Sequence, residues 1–119
     1  MRMRDLTLYH NPHCSKSRAT LALLEENGAA PEIIYYMDNP LDAETLRGLL
    51  DKLGLNVRAI ARHNEPAFEQ HGLGDESLSE AIIFDIILKH PALIQRPIVV
   101  RGNRALIARP PERVLELLD

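Results

Sequence analysis

Residues 6–36 read LTLYHNPHCSKSRATLALLEENGAAPEIIYY, and this stretch predicts how the fold begins. The apolar run LTLY at 6–9 predicts a strand, which the following Asn-Pro pair breaks. The segment SKSRATLALLEENG predicts a helix that Gly28 ends. EIIYY at 32–36 predicts a second strand. A strand, a helix and a strand in close succession indicate a βαβ unit with parallel strands.

The middle of the chain is predicted to be helical. Helical segments are expected at 42–53, around 57–62 and at 78–90. A capping box, Ser77-Leu78-Ser79-Glu80, is expected to begin the last of them.

The end of the chain predicts a hairpin and a final helix. Strands are expected at 97–100 and 104–108, and the Gly-Asn pair at 102–103 is a hairpin signal between them. Two prolines at 110–111 then open a helix, since proline is favoured in a first helical turn.

This order of elements predicts an α/β, thioredoxin-like fold with a mixed four-stranded sheet. The order is βαβ, a set of helices, and ββα. At 119 residues the chain is about one domain long. We therefore expect a single domain over 1–119, with a helical insertion at about 42–92 between its two halves.

Composition excludes several classes of function. The net charge is −3, with 14 basic and 17 acidic residues, so there is no broad positive field for nucleic acid. Apolar runs fall far short of the ~20 residues of a membrane span, and the start resembles no secretory signal. The chain has one cysteine and hence no internal disulfide. We expect a cytoplasmic protein without membrane or nucleic-acid partners.

Cys14 is the candidate reactive group because it lies between the first strand and the first helix. In an open α/β sheet, ligands gather beyond the carboxyl ends of strands, where the next helix presents free N–H groups. These groups and the helix dipole favour a thiolate and lower a cysteine pKa. His10 and Lys16 are near enough in sequence to add positive charge or a hydrogen bond.

Other interpretations of Cys14 fit the sequence less well. A buried structural cysteine is common, but HNPHCSKSR surrounds this one with polar and turn residues. His10, His13 and Cys14 could ligate a metal, yet no further Cys or His cluster completes four ligands at usual spacing. We therefore predict no metal.

Two cysteine motifs are also absent. A phosphatase-type loop has an arginine six positions after its cysteine, where this chain has Thr20. A redox Cys-x-x-Cys pair would need a second cysteine at Ser17 or Asn11.

Four motifs together resemble the ArsC family of arsenate reductases that draw electrons from glutathione and glutaredoxin. They are distributed over nearly the whole chain. In order they are YHNPHCSKSR at 9–18, VRAIARHNEP at 57–66, HPALIQRPIVV at 90–100 and RALIARPPERVLELL at 104–118.

The resemblance implies a role for particular residues. Cys14 matches the family's catalytic cysteine, and His10 matches a histidine beside it. Pro97 resembles the cis-proline that faces the cysteine in thioredoxin-like folds, so the bond before it is expected to be cis. The arginines that match the family's oxyanion ligands are Arg62, Arg96 and Arg109. Arg58 is expected to be solvated, and Arg18 to lie on the helix surface.

The resemblance also implies a reaction and its partners. The expected activity is reduction of arsenate to arsenite through a covalent cysteine adduct, which glutathione and glutaredoxin resolve. Glutathione would be a co-substrate, with no tightly bound cofactor. Two alternatives remain: a protein-binding transcriptional regulator of the Spx type, and a thiol oxidoreductase with another substrate.

Overall fold

Four strands form one mixed sheet in the order β2-β1-β3-β4. The computed structural model describes residues 5–118. The strands are β1 (Leu6–Tyr9), β2 (Glu32–Ile34), β3 (Ile98–Arg101) and β4 (Arg104–Ile107). β1 pairs with β2 in parallel, whereas β3 is antiparallel to both β1 and β4. The predicted α/β fold with a mixed four-stranded sheet is confirmed.

The strand register brings four chain segments to one end of the sheet. Tyr9 pairs with Ile34 on one side and with Ile98 on the other, and Ile98 pairs with Ile107. The chain therefore leaves β1, β2 and β4, and enters β3, at this end. Each loop that begins or ends here can contribute a side chain to a common site.

At the other end of the sheet, a two-residue turn joins β3 to β4. Arg101 pairs with Arg104, and Gly102 adopts a positive φ of 62° that suits a tight hairpin turn. The predicted hairpin is confirmed. Both arginines also reach the last helical segment: Arg101 Nη1 donates to the carbonyl of Leu117 at 2.5 Å, and Arg104 Nη2 to that of Glu116 at 2.9 Å.

One face of the sheet is covered by two helical segments, α1 (Ser15–Glu26) and a 3₁₀ helix at Pro111–Leu117. Leu8, Val99 and Leu106 form a row across the sheet because they are paired in register. The buried residues of this core are Leu6, Leu8, Leu24, Ala29, Val99, Leu106, Ala108, Val114 and Leu117. Removing this apolar surface from water is the main force that holds α1 on the sheet.

Residues 40–95 form a separate compact unit of helices, and residues 5–39 with 96–118 form the unit that contains the sheet. The elements of the helical unit are α2 (Ala43–Leu53), a 3₁₀ turn (Val57–Ile60), α3 (Pro66–Gln70), α4 (Glu80–Lys89) and a 3₁₀ turn (Pro91–Leu93). α2 begins at Asp42, whose carboxylate accepts a hydrogen bond from the Thr45 N–H at 2.8 Å.

Three predicted elements differ from the structure. β2 ends at Ile34, two residues early, because the chain turns there and the Tyr35 carbonyl accepts hydrogen bonds from the next turn. The segment around 57–62 is only a short 3₁₀ turn, and α3 was not predicted. The final helix is present, but as a 3₁₀ helix.

The predicted capping box before α4 is wrong. Ser79 is the N-cap, and its hydroxyl accepts a hydrogen bond from the Ile82 N–H at 3.2 Å. Ser77 does not cap the helix, because both its N–H and its hydroxyl donate hydrogen bonds to the carboxylate of Asp75. Ser79, two residues closer to the helix, therefore has the geometry of an N-cap.

Candidate active site

Cys14 is the N-cap residue of α1 and is partly exposed. The preceding loop is fixed to the end of the sheet, because the His10 N–H donates to the carbonyl of Ile34 at 2.8 Å. The loop then turns tightly, with the Cys14 N–H donating to the Asn11 carbonyl at 3.0 Å. The thiol is thus held where the first turn of α1 exposes its free N–H groups.

The surroundings of the thiol favour its ionised form. Burial alone raises the pKa of Cys14, but hydrogen bonds from the Ser17 N–H, the Arg96 guanidinium and the Lys16 N–H lower it, and so does the charge of Arg96. The net effect is a pKa below the ordinary value for cysteine, in the direction that the sequence predicts. The N–H contacts act mainly through electrostatics, because Cys14 makes no side-chain cap hydrogen bond of standard geometry.

Arg96 interacts with both Cys14 and Tyr36 at this end of the sheet. Burial lowers its pKa, but hydrogen bonds and charge interactions with Cys14 and Tyr36 raise it, and the net shift is upward. Arg96 is therefore a fixed positive charge beside the thiol. The Arg96-Pro97 peptide bond is cis, as predicted, and the Pro97 carbonyl accepts a hydrogen bond from the Ala108 N–H at 2.9 Å.

Arg109 follows β4 and so lies at the same end of the sheet as Cys14. Its side chain is exposed. Its backbone N–H donates to the carbonyl of Ile107 at 2.9 Å, and the Arg109-Pro110 bond is cis, which was not predicted. Arg109 is therefore a solvent-exposed residue at this end of the sheet, and its role as an oxyanion ligand stays a prediction.

His10 is buried and does not act as a positive charge at neutral pH. Only 4% of its surface is exposed, and its Nδ1 lies 2.6 Å from the Ser17 hydroxyl oxygen. Burial first, and then the charge of Arg18, lower the pKa of His10. Of the two contributions predicted for His10, positive charge or a hydrogen bond, the structure supports the hydrogen bond. Lys16 acts on the thiol through its backbone N–H.

The other arginines of the predicted set have different surroundings. Arg62 lies in the helical unit, half-buried, with its N–H donating to the Leu93 carbonyl at 2.7 Å. Its role as an oxyanion ligand stays a prediction. Arg58 is not simply solvated, since its Nη2 donates to the carbonyl of Leu78 at 2.7 Å. Arg18 is exposed on α1, as expected, and donates to the Pro12 carbonyl.

Two residues of the site were missed by sequence reasoning. Tyr36 follows β2, is 1% exposed and interacts with Arg96. The sequence feature that could have identified Tyr36 is its position at the end of a predicted strand, since ligands gather at that edge of the sheet. Ser17 was considered only as a position that lacks a second cysteine. The sequence feature that could have identified Ser17 is its position three residues after the N-cap, because the backbone N–H at that position faces the side chain of the N-cap residue.

Neither a metal-binding cluster nor a membrane-spanning helix is found in the part of the chain that the structure describes. Among residues 5–118, no three His, Cys, Asp or Glu side chains are grouped so as to hold a metal ion. Over the same residues, every helix is too short or too polar to cross a membrane.

The fold and the thiol define a thioredoxin-like protein with a single cysteine at the start of its first helix. Comparison with known proteins specifies the family. The ArsC family model matches residues 9–117. Because this match covers most of the chain, the protein belongs to the ArsC family.

Relatives and solved structures agree with this assignment. An uncharacterized protein of Escherichia coli K12, YfgD, is 47% identical over 97% of this chain and 98% of its own length. An arsenate reductase of Haemophilus influenzae is 46% identical over 96% of this chain and 99% of its own. The structure of an arsenate reductase from Vibrio cholerae superposes with a TM-score of 0.90 at 49% identity, covering 93% of this chain and 95% of that one.

Proposed function

We propose that this protein is an arsenate reductase that uses Cys14 as its nucleophile. The observation that carries the proposal is the Cys14 thiol itself, whose pKa is lowered at the start of α1 and which Arg96 contacts. A thiolate beside a fixed guanidinium is suited to attack on a bound oxyanion. Arsenate is the substrate named for the Haemophilus and Vibrio relatives.

Arginines provide the means of holding such a substrate. Arsenate is a tetrahedral anion, and a guanidinium presents planar, paired donors to its oxygens. Arg96 and Arg109 come from one end of the sheet. We propose that both hold the oxyanion, with Arg62 as the third ligand. Pro97 would shape the site beside the thiol, and His10 would support it.

The proposed reaction balances with two thiols from outside the chain. The Cys14 thiolate attacks arsenic, an As–S bond forms and one arsenate oxygen leaves as water. A glutathione thiol displaces a second oxygen in the same way. The thiolate of glutaredoxin then attacks the glutathione sulfur, so that a disulfide forms and the electron pair of the broken As–S bond stays on arsenic. Water finally displaces Cys14, and arsenite leaves.

The cysteine count supports an external source of electrons. Reduction of arsenate takes two electrons, and a chain with one cysteine cannot supply them by closing an internal disulfide. Glutathione as co-substrate and glutaredoxin as partner fit this requirement and a reducing compartment such as the cytoplasm. No tightly bound cofactor is needed.

Arsenite formation by the purified protein tests the proposal. The assay contains arsenate, NADPH and either glutathione with glutaredoxin and glutathione reductase, or the thioredoxin system. We expect arsenite only in the first mixture, and none with Cys14→Ser, because a serine hydroxyl is scarcely ionised. The absence of arsenite in both mixtures would contradict the activity and favour a regulator or another thiol substrate. Equal rates with thioredoxin would contradict the electron source alone.

A further inference from the structure

An open groove of about 500 Å³ lies between α2 and α4 of the helical unit, and the loop after α2 also lines it. Its apolar lining includes Leu50 of α2, Leu55 of the loop and Phe84 of α4. Leu55 is 38% exposed although it is a large apolar residue. Apolar side chains that share one open groove are typical of a surface that another molecule covers.

The groove is also acidic. Asp51 of α2 and both Glu80 and Asp85 of α4 line it, and all three residues are exposed. Among residues 5–118, none of these carboxylates forms an ion pair. Glu80 lies in the first turn of α4, where the helix dipole favours a negative charge. Asp51 and Asp85 have no such local role, so their charge is available to a partner.

Arg47 shows which chemistry the groove accepts. Its guanidinium carbon lies 5.1 Å from the centroid of the Phe84 ring, which is a cation–π contact. Within the described part of the chain, Arg47 forms no ion pair with a carboxylate of the groove. A cation on an apolar stem therefore fits against this lining.

The dimensions of the groove suit a helix. α2 has 11 residues and α4 has 10, so each is about 15 Å long, which is about three turns of a third helix laid beside them. A small ligand would stay exposed on the open side, whereas pockets for small ligands enclose most of the ligand surface. An amphipathic helix buries one face in such a groove and keeps the other face in water.

We propose that this groove binds an amphipathic helix of a partner protein that carries both apolar and basic side chains. The apolar face of that helix packs on Leu55 and Phe84. Its lysine or arginine side chains pair with Asp51 and Asp85, and these carboxylates reject an acidic helix. The docking surface lies wholly within the helical unit and does not depend on the proposed reaction of Cys14.

Titration of the nitrogen-15-labelled protein with synthetic peptides tests the proposal. The probe contains leucine, lysine and alanine, has about 11 residues, or three turns, and carries its leucines on one helical face. A second peptide has glutamate in place of every lysine, and a third has the composition of the first with its leucines spread around the helix. We expect the first peptide to bind at least about tenfold more tightly than the others. Its amide shifts should be centred on α2, α4 and the loop between residues 54 and 57.

Matched variants separate the groove from the general negative charge of the chain. Asp51→Asn/Asp85→Asn removes two charges from the groove, and Glu25→Gln/Glu26→Gln removes two exposed charges from α1 in the other unit. The groove pair should weaken binding about fivefold, the size of two exposed ion pairs, and the control pair by less than about twofold. Leu55→Ser should weaken binding about tenfold, because it removes an apolar contact.

The proposal is overturned if the lysine peptide does not bind at about 1 mM, if the glutamate peptide binds as tightly, or if the shifts lie outside the groove. It is also overturned if the two double variants weaken binding equally. Dilution of the protein without peptide tests another occupant. Groove signals that shift with protein concentration would assign the groove to a second copy of this chain. Every substituted residue is exposed, and the amide spectrum of each variant reports whether it is folded.

Discussion

Replacing Arg96 by alanine should raise the pKa of Cys14 and slow its reactions. Arg96 contacts the thiol through both a hydrogen bond and its charge. A hydrogen bond to a charged group contributes about 1.5–3 kcal/mol, and the lower end applies here because both side chains are only partly buried. A loss of about 1.5 kcal/mol reduces the thiolate-to-thiol ratio slightly more than tenfold, or about one pKa unit.

The assay is alkylation of Cys14 as a function of pH, followed by arsenate reduction at pH 7. Arg96→Ala should shift the alkylation profile to higher pH and lower kcat/KM about thirtyfold, about 2 kcal/mol, because the substrate also loses a ligand. Arg96→Lys should recover the alkylation profile better than it recovers turnover, since an ammonium keeps the charge but not the planar pair of donors.

Arg104→Ala is the matched control. Arg104 belongs to the same unit but lies at the opposite end of the sheet, where it donates to the carbonyl of Glu116. Its loss should leave the alkylation profile of Cys14 unchanged. If Arg96→Ala is folded and its profile superimposes on that of the parent, Arg96 does not stabilise the thiolate and the reasoning is wrong.

Three further predictions test other parts of the structure. Arg109→Ala should lower kcat/KM for arsenate about thirtyfold and leave Cys14 alkylation unchanged, because the groups that lower the thiol pKa are on α1 and Arg96; normal turnover would remove Arg109 from the site. Ser79→Ala should lower the free energy of unfolding by about 1 kcal/mol, measured by thermal melting, because it removes the N-cap hydrogen bond of α4. A larger loss of stability in Ser77→Ala than in Ser79→Ala would instead support the predicted capping box. Burial holds the pKa of His10 below 6.5, so its contribution to stability is present above that pH and is lost as pH falls through the folded-state value. Melting between pH 7 and 5 should therefore fall more in the parent than in His10→Asn, and parallel curves would contradict this.

Much of the sheet-containing unit was predictable because its signals are local. The alternation in LTLY, the glycine after the first helix and the Gly-Asn turn each act within a few residues. The end of β2 was not predictable in the same way. Tyr35 and Tyr36 have high strand propensity, but β1 reaches only to the partner of Ile34, so pairing stops there.

The candidate site was predictable in position but not in its interactions. The place of Cys14 follows from the strand-to-helix junction, whereas the contact with Arg96 joins residues far apart in the chain. Tyr36 enters the site through that same arginine. The state of His10 depends on burial, which a short motif does not encode. Sequence spacing identifies such side chains, and packing decides which of them is charged.

The separation of Cys14 from Arg96 along the chain bears on how the protein is made. Cys14 is synthesised before Arg96 and the strand that follows it, with more than eighty residues between them. A 12-residue helix is marginal in water by itself, so α1 depends on the completed sheet for its N–H groups to stay in place. The nascent chain therefore carries an ordinary thiol until Arg96 and its strand have been made, and a reactive thiolate arises only when the sheet has formed.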